Sequence, residues 1–185
     1  MIAGSLGGRR LKAPRGRATR PTSDRVKEAL FAMLGPIEDT RVMDLFAGSG
    51  ALGIEALSRG ALLAVFVERD ARATRALGEN LELLGLDASV AELRRGEVLA
   101  ALRRARESAE TYDLLFVDPP YDQARELEGA LAALVPPLLA PGARVAVESD
   151  RRAPLDLGLE VQRQKRYGDT SITIHRHRCT KPSDR

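Results

Sequence analysis

The chain has 185 residues, of which 44% are hydrophobic and 30% are charged, and its formal net charge is +3. This length fits one domain with a core of ordinary size, and no apolar run is long enough to span a bilayer. The single cysteine, Cys179, excludes an internal disulfide and a cysteine-rich metal site. The first five residues lack the charged-then-apolar layout of a signal peptide. We therefore expect a cytoplasmic protein that needs no metal.

Residues 1–20 are predicted to form a basic arm or hairpin ahead of a single domain that spans residues 21–185. The first 34 residues contain eight basic and two acidic side chains. A basic segment with glycines and few apolar residues is typical of a polyanion-binding arm. The alternative is a solvated tail in a chain whose codon usage favours arginine, since Arg exceeds Lys throughout. The candidate nucleic-acid-binding residues are Arg9, Arg10, Lys12, Arg15, Arg17, Arg20 and, just past the arm, Arg25.

The first helix is predicted to begin at Thr22 or Ser23, either of which can cap it, and to end at Gly35. An apolar strand over residues 42–46 follows. The next loop, residues 48–53, reads Gly-Ser-Gly-Ala-Leu-Gly and leads into a helix, as the dinucleotide-binding fingerprint requires. Glycines at these positions let a ligand approach the backbone closely.

A second strand over residues 62–67 is followed by Glu68, which lies about 20 positions after the first glycine of the loop. A carboxylate at this point can bind two ribose hydroxyls. NAD and S-adenosylmethionine fit this pattern equally well. The alternative is a tight structural turn followed by a surface glutamate.

Asp44 helps to separate the two cofactors. It lies near the end of the first strand, just before the glycines. An anionic pyrophosphate would be repelled there, whereas the α-ammonium group of S-adenosylmethionine would be attracted, directly or through water. Asp44 therefore favours S-adenosylmethionine.

The rest of the chain continues to alternate between helices and strands, which predicts an α/β protein with a parallel sheet covered on both faces. The predicted elements are a helix at 70–84, a strand at 89–93, a helix at 97–107, a strand at 112–117, a helical segment at 124–139 broken at its two prolines, a strand at 143–147 and a closing antiparallel pair at 160–167 and 171–177. His175 and His177 alternate in the last strand, so we expect solvated edge residues rather than metal ligands.

The tetrapeptide Asp118-Pro119-Pro120-Tyr121 follows the buried strand at 112–117 and is the most informative motif. Two prolines fix φ, remove amide donors and hold the preceding residue extended. The result is a rigid shelf with a carboxylate and peptide carbonyls as acceptors and an aromatic ring beside them. An exocyclic amino group on a nucleobase needs two acceptors and a surface for stacking. The alternative is an ordinary turn that contains two prolines.

Together these motifs resemble a class I S-adenosylmethionine-dependent methyltransferase that methylates amino groups. More closely, the chain resembles the bacterial RsmD family, which methylates the N2 amine of one guanine in 16S rRNA. The closer resemblance lies in three stretches: Gly7-Gly8-Arg9-Arg10-Leu11, residues 20–31 (Arg-Pro-Thr-Ser-Asp-Arg-Val-Lys-Glu-Ala-Leu-Phe) and residues 46–59 (Phe-Ala-Gly-Ser-Gly-Ala-Leu-Gly-Ile-Glu-Ala-Leu-Ser-Arg).

The resemblance implies a Rossmann-like class I methyltransferase fold, with a mainly parallel seven-stranded sheet, an antiparallel C-terminal hairpin and a short N-terminal extension. It implies S-adenosylmethionine as cofactor, small-subunit rRNA as partner, within an assembled or assembling subunit, and a monomeric enzyme. The implied cofactor-binding residues are Asp44, Phe46, Ala47, Gly48, Ser49, Gly50, Glu68, Arg69 and Thr22. The implied catalytic residues are Asp118, Pro119 and Tyr121. In place of the family's frequent Asp or Asn after the third strand, this chain has Arg94-Arg95-Gly96-Glu97.

Other functions fit parts of the pattern. The shelf could serve adenine in DNA or RNA, or a protein amide. An NAD-dependent oxidoreductase would use the glycine loop, although Asp44 argues against it. A non-catalytic RNA-binding module with a relic cofactor site would have no use for Glu68 and Asp118.

Overall fold

The computed structural model describes residues 1–13 and 24–178. The helices are α1 (Asp24–Leu34), α2 (Ala51–Ser58), α3 (Ala71–Leu84), α4 (Val98–Glu107) and α5 (Tyr121–Leu134), and a 3₁₀ turn covers Pro136–Leu138. The strands are β1 (Arg41–Leu45), β2 (Leu63–Glu68), β3 (Ala91–Arg95), β4 (Tyr112–Val117), β5 (Leu139–Asp150), β6 (Glu160–Tyr167) and β7 (Thr170–Arg176). No helix in these ranges is long and apolar enough to cross a membrane.

The strands form one seven-stranded sheet in the order β3-β2-β1-β4-β5-β7-β6. Strands β1 to β5 run parallel to one another, and β7 is antiparallel to both β5 and β6. This arrangement confirms the predicted fold class, including the closing antiparallel hairpin. The strand order reverses between β1 and β4, where ligands bind in open α/β sheets.

Helices cover both faces of the sheet, so its central strands are apolar on both sides. Leu30, Ile54 and Leu77, from α1, α2 and α3, pack with one set of strand residues. Leu102 and Leu131, from α4 and α5, pack with the other set. Successive strand residues point to opposite faces, and this alternation decides which polar strand-end side chains share a face.

Local side chains explain several element boundaries. Asp70 caps α3 by accepting from the backbone N–H groups of Arg72 and Ala73, at 3.0 and 2.9 Å. Gly85 ends this helix in the left-handed conformation, with φ +69°. Strand β1 ends one residue before the predicted boundary because Phe46 has φ +64°, which no strand residue adopts.

Further boundaries differ from the sequence-based prediction. Strand β3 begins two residues later, since Ser89 is held in a turn by the side chain of Asp87. Helix α5 begins earlier, at Tyr121, because the carbonyl of Pro120 accepts the N–H groups of Gln123 and Ala124. It also ends before the prolines, and the residues after the 3₁₀ turn already belong to β5.

The prediction that His175 is a solvated edge residue is wrong. Strand β7 lies between β5 and β6, and His175 is 2% exposed. Its Nδ1 lies 3.1 Å from the carbonyl oxygen of Leu159, and burial lowers its pKa. His177, beyond the strand, is partly exposed.

Residues 1–13 pack against the domain. The backbone N–H groups of Ile2 and Ala3 donate to the carboxylate of Glu55, at 2.8 and 3.0 Å. Leu6 N donates to Ser58 Oγ at 3.0 Å. Lys12 forms an ion pair with Glu79 on α3 at 2.9 Å. The N-terminal segment is thus attached to α2 at one end and to α3 at the other.

Candidate active site

Strand-end carboxylates converge at the carboxyl edge of the sheet, on the face covered by α1, α2 and α3. Asp44 shares its face with Val42, and Asp118 shares its face with Phe116, since residues two apart along a strand point the same way. Phe116 pairs with Asp44 across β1 and β4. The parallel register therefore brings these carboxyl groups close together.

The glycine loop is shaped by three glycines with different tasks. An added Cβ on Gly50 would lie 2.4 Å from Leu77 Cδ1, and one on Gly53 would lie 2.3 Å from the ring of Phe66. These two glycines allow α3 and β2 to pack closely behind the loop. Gly48 has φ +57°, and, apart from Gly48 and its two chain neighbours, no described residue has an atom within 4 Å of a Cβ placed there. The side of the loop at Gly48 is thus open to a ligand.

Glu68 joins this loop to the start of α3. Its Oε2 accepts from Gly48 N at 2.8 Å and its Oε1 accepts from Asp70 N at 2.7 Å. Each carboxylate oxygen has a second lone pair, so two hydroxyl donors can still bind. The backbone contacts hold the carboxylate next to the open side of Gly48.

Asp44 lies beneath the loop and is 2% exposed. Its Oδ2 accepts from Gly53 N at 2.9 Å, at the start of α2. Burial raises the pKa of Asp44 to about 7, while the Gly53 bond opposes this rise and Glu68 adds to it. A cation bound nearby would favour the charged form of this carboxyl group.

Asp118 has a partner at the site that the sequence reasoning missed. Val117 pairs with Val147 across β4 and β5, so the next residues, Asp118 and Glu148, are neighbours. Both line a small cleft together with Leu30 of α1. Burial raises the pKa of Asp118 well above its usual range, and the charges of Glu148 and Asp44 raise it further. The sequence signal for Glu148 is its place directly after the predicted strand at 143–147, the same kind of signal that identified Asp118.

The prolines and Tyr121 connect this carboxyl pair to α5. The Pro120 carbonyl is used by the first turn of α5, whereas Pro119 is buried directly beside Asp118. Tyr121 is 48% exposed, and its hydroxyl shares a 3.1 Å hydrogen bond with Oγ1 of Thr170, the first residue of β7. The exposed ring is therefore held in place by the C-terminal hairpin.

Arg69 and Glu97 form a bridge on the β2 side of the edge. Arg69 Nη1 lies 3.3 Å from Glu97 Oε2, and Arg69 Nη2 donates to Gln123 Oε1 at 3.0 Å. This contact connects the ends of β2 and β3 to α5. Glu97, which stands near the family's usual Asp or Asn position, is thus engaged with Arg69.

The candidate RNA-binding residues lie in several places. Arg9, Arg10 and Lys12 are exposed on the N-terminal segment, and Arg25 is exposed in the first turn of α1. Thr22, a predicted cofactor contact, lies outside the described residues. So do three predicted RNA contacts, Arg15, Arg17 and Arg20.

Across residues 1–13 and 24–178, no group of three or more His, Cys, Asp or Glu side chains could hold a metal ion.

Comparison with solved structures supports the fold class. The sheet order and the site at its carboxyl edge define a class I methyltransferase fold. The Escherichia coli protein yhhF superposes with a TM-score of 0.82 at 34% identity, covering 96% of this chain and 97% of that one. An RNA methyltransferase from Salinibacter ruber, solved with S-adenosyl-L-homocysteine, has the same fold, with a TM-score of 0.63 at 21% identity over 89% of this chain and 97% of its own.

Sequence comparison identifies the family to which the chain belongs. The family model described as "conserved hypothetical protein 95" matches residues 1–176. "Putative rRNA methyltransferase YlbH" of Bacillus subtilis is 41% identical over 184 residues, covering 96% of this chain and 98% of that protein. Ribosomal RNA small subunit methyltransferase D of Haemophilus influenzae is 38% identical over 157 residues, covering 84% and 80%. The chain belongs to this family, the RsmD family that its motifs resemble.

Proposed function

We propose that this protein uses S-adenosylmethionine to methylate the exocyclic N2 amine of a guanine in small-subunit rRNA. The observation that carries the proposal is the meeting of two half-sites at one sheet edge. The glycine loop and Glu68 form one half, and the shelf at Asp118 forms the other. The names of the relatives from Bacillus subtilis and Haemophilus influenzae support rRNA as the substrate.

The cofactor half fits S-adenosylmethionine. Glu68 would accept from the two ribose hydroxyls, and the open side of Gly48 would admit the ligand to the loop formed by Phe46, Ala47, Ser49 and Gly50. Asp44 would favour the α-ammonium group from beneath the loop. When bound, the cofactor supplies a methyl group that its sulfonium has already activated, so the protein mainly has to align the acceptor.

The base half fits guanine better than adenine. Guanine presents N1–H and the N2 amine side by side, which are donors only, whereas adenine presents an amine beside the acceptor N1. The carboxyl groups of Asp118 and Glu148 offer neighbouring acceptors. Because a protonated carboxyl keeps an acceptor oxygen, the pair accommodates guanine whether or not it holds a proton. The carboxyl pair matches adenine only when the pair holds a proton, because N1 of adenine needs a donor. Adenine is therefore the alternative substrate that the experiment must exclude.

The shelf residues would then orient the amine. Asp118 and the Pro119 carbonyl accept the two N–H bonds, which directs the nitrogen lone pair towards the methyl group. A nitrogen–carbon bond forms as the carbon–sulfur bond breaks, and the proton leaves the nitrogen for the carboxyl pair or for water. The ring of Tyr121 stacks on the base after the base has left its own stack.

Product analysis tests the proposal. Tritiated S-adenosylmethionine is incubated with small ribosomal subunits from cells that lack the enzyme, and the rRNA is digested to nucleosides. We expect the label in N2-methylguanosine, and almost none with Asp118→Ala. Label in N6-methyladenosine, or transfer to DNA or protein instead, would contradict the proposal.

A further inference from the structure

The first residues of the N-terminal segment are fixed by a buried carboxylate. Glu55 on α2 is 0% exposed and accepts from Ile2 N at 2.8 Å, from Ala3 N at 3.0 Å and from Arg59 Nε at 2.8 Å. Glu55 and Arg59 lie in the second half of α2 and just after it, whereas the glycine loop leads into the start of the helix. These contacts attach residues 2 and 3 to the domain, but they do not account for the position of Lys12 at the other end of the segment.

The far end is held by Asn80, a 0% exposed residue of α3. Its Oδ1 accepts from Lys12 N at 2.8 Å, and its Nδ2 donates to Lys12 O at 3.1 Å. The same Nδ2 donates to Ser49 O at 3.0 Å. These partners determine the orientation of the amide, since the reversed amide would place its oxygen against two carbonyl oxygens.

One side chain therefore connects two segments with different tasks. Ser49 lies between Gly48 and Gly50 in the cofactor loop, and Lys12 lies on the basic N-terminal segment. If either segment moves away, Asn80 is left with buried polar atoms that lack partners, which is unfavourable. Ordering one segment thus favours ordering the other.

We propose that Asn80 is a positioning residue that couples the N-terminal segment to the cofactor loop. A ligand that orders the loop then also orders residues 2–12. By thermodynamic reciprocity, a ligand that orders the segment tightens binding at the loop by the same factor. Both statements rest on the proposed function: the first takes its cofactor as the ligand of the loop, and the second also takes RNA as the ligand of the segment.

Hydrogen exchange tests the coupling with the full chain and S-adenosylhomocysteine alone. In the wild type, we expect saturating ligand to slow exchange at the amides of the glycine loop and also at those of residues 2–12. The slowing in the segment should be about 5-fold or more, the lower end of ordinary coupling between sites. In Asn80→Leu, the loop should still respond and the segment should not.

A variant and a control separate coupling from simple structural support. Asn80→Asp removes both N–H donors with little change in shape and serves if the Leu variant does not fold. Glu79→Gln removes the ion pair to Lys12 but leaves the Asn80 contacts, so its segment should respond as in the wild type. The coupling would be overturned if, in the wild type, the ligand slowed exchange in the loop but not in residues 2–12. It would also be overturned if the ligand still slowed exchange in residues 2–12 of a folded Asn80 variant. If calorimetry detects no binding of S-adenosylhomocysteine at all, the cofactor assignment fails, and the coupling fails with it.

Discussion

The two halves of the candidate site are built in opposite ways. In the cofactor half, the carboxylates are engaged by backbone donors, with Glu68 accepting from Gly48 and Asp70, and Asp44 accepting from Gly53. In the base half, Asp118 and Glu148 are neighbouring like charges whose repulsion adds to burial in raising the pKa of Asp118. The first half is organised before a ligand arrives. In the second half, charging Asp118 is unfavourable, and a base with several N–H donors would make its charged form less unfavourable.

This contrast predicts that substitutions in the two halves have different effects on cofactor binding, methyl transfer and stability. Changes in the cofactor half that remove an acceptor oxygen should weaken both cofactor binding and the loop, because the same atoms serve ligand and backbone. Changes in the base half should abolish chemistry while leaving stability unchanged or improved, as is common where function requires a strained arrangement.

The largest effect is expected at Asp118. Asp118→Ala should reduce single-turnover methyl transfer by about 10²–10⁴-fold, the range for loss of an acid–base or positioning group. Asp118→Asn keeps one acceptor but cannot take a proton, so residual activity would indicate positioning and complete loss would indicate proton acceptance as well. Transfer is measured on small subunits from cells that lack the enzyme. Wild-type rates in a folded Asp118→Ala protein would remove Asp118 from the mechanism.

Glu68→Ala should weaken binding of S-adenosylhomocysteine by about 1–3 kcal/mol, since a charged hydrogen-bond partner is lost. The loop should also loosen, because Gly48 N and Asp70 N lose their acceptor. Glu68→Gln is the matched control, as it keeps an acceptor oxygen for one of the two N–H groups. Calorimetry reports the affinity, and an unchanged value in Glu68→Ala would contradict this arrangement of the cofactor half.

The pH dependence of folding tests the charge on Asp44. Its pKa of about 7 lies above the usual value of 3.8, so the folded state binds a proton more tightly than the unfolded state does. This carboxyl group therefore stabilises the fold below about pH 4 relative to higher pH, and the contribution is lost as the pH rises through 7. Asp44→Asn keeps an acceptor for Gly53 and should be more stable than the wild type at pH 8, by about 1–4 kcal/mol. Urea unfolding at pH 5 and pH 8 measures the difference, and an equal pH dependence in both proteins would contradict the assignment.

Tyr121 should show which part of the side chain matters. Tyr121→Ala removes the stacking surface and should cost about 1–3 kcal/mol in binding or activation. Tyr121→Phe keeps the ring but loses the bond to Thr170, so its effect should be smaller. Thr170→Val removes the same bond from the other side and should match Tyr121→Phe. An equal loss of activity in Tyr121→Phe and Tyr121→Ala would show that the substrate depends on the hydroxyl group rather than on stacking against the ring.

The smallest effect on chemistry is expected from the N-terminal segment. Reversing Arg9 and Arg10 to Glu should weaken RNA binding and flatten its dependence on salt, while cofactor affinity without RNA stays the same. An unchanged salt slope would favour the solvated-tail interpretation of these arginines.

Much of the site could be predicted because each key residue carries a local signal. Glu68 ends an apolar strand and Asp118 directly follows one, and parallel strands bring such residues to one edge. Glu148 lies two residues before the end of β5 and belongs to no recognisable motif, so the sequence does not single it out. The neighbours of a residue across the sheet or between helices leave no local signal. His175 is buried because β7 has a strand on each side. Asn80 has no distinguishing feature in the helix sequence, and its role follows only from its contacts with Lys12 and Ser49 in the fold.

Calorimetric titration of S-adenosylhomocysteine into the wild type, Asp118→Asn and Glu68→Ala tests the division of the site most directly. The account predicts that Asp118→Asn, although defective in methyl transfer, binds the ligand within about 2-fold of the wild type, whereas Glu68→Ala binds it about 5-fold to 150-fold more weakly. Strong loss of affinity in Asp118→Asn, with unchanged affinity in Glu68→Ala, would contradict the account and place the cofactor on the other half of the site.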